Sequence, residues 1–96
     1  MSERTNAAIA AIDILIQRLP LLPATPDRER VTEEADALRR AVAAFHMEAI
    51  RFRMYSVDRL IRATGDEATA RQAFEDVRRE VEAVGFHTRS HAAPGA

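Results

Sequence analysis

The sequence predicts an all-α protein, on three observations. Ala, Arg, Glu and Leu dominate while only three Gly occur in 96 residues. These are strong helix formers, and the β-branched residues are scattered rather than clustered. No strand-length alternation and no βα repeat interrupts the helical spacing of the apolar positions. Breakers, finally, divide the chain into segments of helical length.

The first helix is expected over residues 4–19 and is stopped by Pro20 and Pro23, since proline lacks the N–H that a helix interior needs. Its apolar positions are Ile9, Ile12, Ile16 and Leu19, with Ile14 on the opposite side. Residues 21–24 form a linker. Thr25-Pro26 then reads as an N-cap followed by proline at the first helical position. Asp27 and Glu29 follow in the first turn, where the helix dipole favours acids.

No breaker appears from there to Gly65, so a single middle helix is expected over 26–63. At 1.5 Å per residue it would be about 57 Å long. A compact globule of this size has a radius of gyration of about 12.5 Å and a diameter near 30 Å, too small to contain it. Gly65 suits the residue just past the helix end and Asp66 the next N-cap. A last helix over 67–84 ends at Gly85, with Phe86 placed for a capping contact and residues 87–96 a tail outside a single 1–86 domain. Short connections would fold the first helix back on the first half of the middle helix and the last helix on its second half.

The apolar positions point to association. On a 100° wheel Val31, Ala35, Leu38, Val42, Phe45, Ala49, Phe52, Leu60 and Ala63 form one stripe of the middle helix. A second, comprising Ala43, Met47, Ile50, Met54, Val57 and Ile61, appears in the later half only. One neighbouring helix cannot cover both, and exposed apolar surface on that scale marks an interface. Met47, Ile50, Met54, Val57 and Ile61 are therefore the expected contacts of a homodimer. Charge gives the direction. Residues 27–36 hold five acids and two arginines (2 − 5 = −3), and residues 39–62 hold six arginines and two acids (6 − 2 = +4). An antiparallel homodimeric bundle sets opposite signs side by side, and the last helix is again acidic.

Composition narrows the chemistry. The chain is 47% hydrophobic with a net charge of −1, unlike a disordered or generally nucleic-acid-binding protein. It has no Cys, and all 14 of its basic residues are Arg. Thiol nucleophiles, Cys-based zinc sites, Schiff-base lysines and P-loop lysines are thus excluded. The longest apolar run, Ala7 to Ile16, contains Asp13 and is too short to span a bilayer. The N-terminus resembles no secretion signal, and a cytoplasmic location is the default expectation.

One polar file stands out. Arg39, His46 and Arg53 are seven residues apart and would lie between the two apolar stripes of an unbroken helix. A buried Arg or charged His needs a counter-charge. The file is either a structural polar layer that fixes register or an Arg/His site for a small anion at the helix junction. Other chemistry finds weaker footing. There is no Glu-x-x-His for a di-iron site, and His87 and His91 fall in the tail. Phe-His-Met-Glu around His46 matches no phosphotransfer signature. Arg40, Arg51, Arg59 and Arg62 form a basic ridge, but Glu48 and Asp58 interrupt it in a way that suggests helix-surface ion pairs. No nucleophile–base motif or phosphate loop is present. The expectation is a non-enzymatic homodimeric module acting through protein–protein association, without cofactor or metal, its partner a second copy or another protein. The alternative is a small-anion binder or minor enzyme built on the Arg39–His46–Arg53 file.

Overall fold

The computed structural model describes residues 3–85. The expected tail, the Phe86 contact, His87 and His91 lie outside them. The described residues are helical, with no strand among them: α1 (Glu3–Arg18), a 3-10 turn (Leu19–Leu21), α2 (Pro26–Ala43), α3 (Met47–Ala63) and α4 (Ala68–Ala83). Four helices replace the three expected. The single 26–63 helix is broken at residues 44–46.

The break has a specific geometry. Ala44 is the C-cap of α2, and Phe45 follows in the left-handed region at φ 57°. The Phe45 N–H donates to the Val42 carbonyl at 3.0 Å and the His46 N–H to the Ala41 carbonyl at 3.0 Å. Those two bonds are the Schellman pair, which satisfies the last carbonyls of a helix. His46 is already extended, and its Nδ1 accepts from the Ala49 N–H at 3.2 Å as the N-cap of α3. The same device recurs at the end of α3. Gly65, at φ 100°, donates to Arg62 at 3.1 Å, and Asp66 donates to Ile61 at 2.9 Å. Glycine marks only the second turn, because the first places a Phe where an L side chain is disfavoured.

Magnitudes explain why the break occurs. The left-handed conformation costs a non-glycine residue about 1–2 kcal/mol. Folding α3 back on α2 buries Ile50, Met54, Val57 and Ile61, and each such side chain gains about 1.5–3 kcal/mol as an upper estimate. Four of them outweigh one strained residue several-fold. The hairpin also satisfies the charge segregation within one chain. Glu34 of α2 takes both carboxylate oxygens to Arg53 Nη1 of α3, at 2.9 and 3.0 Å.

α1 lies between α2 and α4, and α3 packs on α2. The last helix therefore does not cover α3 as expected. It runs along α1 and touches α3 lightly, because α3 has already found its cover on α2. The radius of gyration is 12.4 Å and the longest dimension 34 Å, a globule rather than a rod. The core joins Ile12, Leu15 and Leu19 of the first segment to Leu38 and Val42 of α2, Ile50 and Ile61 of α3, and Phe74 and Val77 of α4.

The helix ends follow local chemistry. Thr25 is the N-cap of α2 with Pro26 next, although the Thr25 side chain makes no capping bond. Arg28 Nη1 instead donates to the carbonyls of Pro20 (3.3 Å) and Leu22 (3.2 Å), tying down the turn before α2. The N-cap of α4 is Glu67, not Asp66: its carboxylate accepts from the Ala70 N–H at 2.8 Å. Asp66 is held instead at φ 54° by the preceding turn and pairs with Arg71 at 2.6 Å.

Candidate interaction surface

The Arg39–His46–Arg53 file does not converge. Arg39 Nε donates to Asp13 of α1 at 2.7 Å, with a second bond from Nη2 at 3.3 Å. That hydrogen bond, then the Asp13 charge, raises the Arg39 pKa against the opposing effect of burial. Arg53 is held by Glu34, and His46 caps α3. Nδ1 is thus the acceptor nitrogen of the His46 ring. The file required helical progression through residue 46, and Phe45 ends that progression. Each arginine already has a carboxylate partner in its own chain.

The expected dimer stripe is also relocated. Ile50, Met54, Val57 and Ile61 lie in the chain's own core, and only Met47 is exposed, at 44%. Sequence reasoning left them uncovered because it gave α3 one neighbour too few: in an unbroken helix the α2 segment cannot fold back to cover them.

What α3 does expose is different. Phe52 is 58% exposed and Tyr55 49%, and Phe45, in the turn before α3, is 48% exposed. Glu48, Phe52, Tyr55 and Arg59 are spaced 4, 3 and 4 residues apart, so they share one stripe opposite Ile50, Val57 and Ile61. Each of the two rings has an arginine beside it. The Arg53 guanidinium lies 5.0 Å from the Phe52 centroid while Glu34 anchors it. Arg59 lies 6.0 Å from the Tyr55 centroid. Cation–π contacts of this kind orient a ring without burying it. The sequence wheel put Phe52 on the inward stripe of a continuous helix. Its offset from Ile50, Met54, Val57 and Ile61 was the available signal that it faces out.

The basic ridge is divided by the same break, since Arg40 belongs to α2. Arg62 pairs with Asp58 at 3.3 Å as its spacing predicts, whereas the expected Glu48–Arg51 pair is not among the ion pairs of the described residues. Between α3 and α4 a second ionic cluster has its hub at Arg71, 2.7 Å from Asp58, 2.6 Å from Asp66 and 3.1 Å from Glu75. Partial burial works against its charge, but the hydrogen bonds to Asp66 and Asp58 outweigh this and raise the Arg71 pKa. Arg71 and Arg78 lie 5.4 and 5.1 Å from the ring of buried Phe74. With Arg62 on Asp58 and Arg78 on Glu75 at 3.3 Å, three arginines meet three carboxylates, and the cluster joins two helices. Among the described residues, no three His, Asp or Glu side chains are grouped to hold a metal ion, and no helix is long and apolar enough to cross a membrane.

An open groove of about 370 Å³ runs between α1 and α4, lined by Ile14, Arg18, Gln72 and Asp76 among others. A smaller one of about 270 Å³ lies on α2 beside Arg28 and Glu33. Neither involves Arg39, His46 or Arg53. Comparison of the chain with protein-family models, curated proteins and solved structures finds no match.

Proposed function

We propose that the protein is a non-catalytic helical module that works by protein–protein association, as a homodimer joined through the outward face of α3. The observation that carries this reading is the exposed pair Phe52 and Tyr55, oriented by Arg53 and Arg59 on a helix whose opposite face is already fully used in the core. Aromatic residues and arginine are the side chains most enriched at the centres of protein interfaces. Rings already held in place lose less freedom on binding than mobile ones. The anion-binding alternative is less well supported, because Arg39 and Arg53 are occupied by Asp13 and Glu34.

The test is sedimentation velocity from about 10 to 500 micromolar, on the wild type and on Phe52→Glu. The expected result is a concentration-dependent rise in mass that Phe52→Glu removes while the helical circular dichroism signal is kept. A dimer indifferent to Phe52→Glu would contradict the reading.

A further inference from the structure

The outward stripe of α3 is chemically complementary to its own reverse, and we infer that it pairs antiparallel with the α3 of a second copy. The inference rests on the association proposed for this face and adds the orientation and register of the pairing. The stripe runs acid, aromatic, aromatic, base: Glu48, Phe52, Tyr55, Arg59. A two-fold axis midway between residues 53 and 54 sets Phe52 against the partner's Tyr55, and Tyr55 against the partner's Phe52. The same axis sets Glu48 against the partner's Arg59 at one end and Arg59 against the partner's Glu48 at the other. All four layers match at once. In helical coordinates the stripe spans about 17 Å, with two aromatic layers flanked by two ion pairs.

Three features support a second copy over an unrelated partner. A two-fold interface must be self-complementary, and this stripe is. Neither Glu48 nor Arg59 has an ion-pair partner among the described residues, so both charges are available for a mate. The stripe also has the 3–4 spacing of a coiled-coil seam, which brings two helices to about 8–10 Å. A parallel pair is disfavoured, because it would oppose Glu48 to the partner's Glu48 and Arg59 to the partner's Arg59. Like-charge contacts of that kind reject a wrong pairing. The register differs from that of the intramolecular hairpin, where Glu34 meets Arg53 on the other flank of α3. The dimer therefore adds to the fold without opening it. A single helix stripe buries little area, so the association belongs at the weak end of the range for specific interfaces.

The experiment uses the full chain and two readouts. Glu48→Arg and Arg59→Glu each turn two ion pairs into two repulsions and are expected to weaken the dimer about tenfold. The double variant Glu48→Arg/Arg59→Glu exchanges the charges and is expected to restore it. Because the chain has no cysteine, Ala63→Cys also provides a unique spin-label site. Antiparallel pairing in this register separates residue 63 from the partner's 63 by about 28 Å along the axis, whereas parallel pairing brings them to about 10 Å. Restoration by the double variant with the long distance supports the inference. A dimer lost on Phe52→Glu but indifferent to the charge reversals, or one with the short distance, overturns the antiparallel register and leaves association through α3 standing. A mass that stays at one chain to 500 micromolar, or a dimer that survives Phe52→Glu, overturns both.

Discussion

Comparing Phe45→Gly with Phe45→Ala tests the turn between α2 and α3 by the sign of the difference. Phe45 sits at φ 57°, where a side chain costs about 1–2 kcal/mol that glycine does not incur. Against this, glycine raises the entropy of the unfolded chain by about 0.5–1 kcal/mol. The Phe45 ring is half buried, and both variants lose it equally. The balance leaves the glycine variant more stable than the alanine variant by about 0.5–1 kcal/mol. In an unbroken helix position 45 would stand mid-helix, and the glycine variant would be less stable than the alanine variant by about 1 kcal/mol. Urea unfolding measures the difference directly, as a higher midpoint with an unchanged slope. Gly65→Ala is the matching control. A Cβ at Gly65 meets nothing within 4 Å, so the substitution reports the conformational cost less the unfolded-chain entropy it removes, and should destabilise by about 0.5–1 kcal/mol. A Phe45→Gly variant less stable than Phe45→Ala by 1 kcal/mol or more would refute the reasoning.

The other predictions concern caps and charges. His46→Ala removes the acceptor for the Ala49 N–H and should cost about 0.5–2 kcal/mol in the same unfolding assay, while His46→Asn should retain most of that stability. Glu67 is held below the usual carboxylate range by backbone N–H bonds from Ala70 and then Thr69. Its contribution is present above the unfolded-state value and is lost as pH falls through the lower folded-state value. Thermal unfolding followed into acid should therefore show a smaller pH-dependent loss for Glu67→Gln than for wild type. Arg71→Met leaves Asp58, whose side chain is only 17% exposed, without its cross-helix partner. It should cost about 1–3 kcal/mol by chemical denaturation, and Asp58→Asn in the same background should recover part of the loss.

Helix content and most helix ends were legible in the sequence, because proline and glycine act locally. Pro20 and Pro23 close the first segment, Pro26 opens α2, and Gly65 ends α3. The turn at 44–46 was not legible, since Ala44, Phe45 and His46 are all compatible with a helix and the apolar period runs on through Val42, Phe45 and Ala49. Burial of Ile50, Met54, Val57 and Ile61 decides there, and a wheel drawn on one helix cannot see it. The consequences spread from that one position. Arg39 and Arg53, collinear on paper, reach different partners on α1 and α2. The antiparallel meeting of acidic and basic halves, expected between two chains, is made within one by Glu34 and Arg53. The α3 stripe was hidden for the same reason. Phe52 counted as an inward residue until the turn fixed which way α3 faces.

The hairpin can be measured with one distance. Cysteines at Arg30 and Ala63, both exposed and unique in a cysteine-free chain, allow spin labelling for double electron–electron resonance. Dilution with unlabelled protein suppresses distances between chains. Folding back of α3 on α2 predicts about 15–25 Å between the labels, from helix axes 8–10 Å apart plus the label arms. A population centred near 50 Å, the length of an unbroken helix over those 33 steps, would contradict the account.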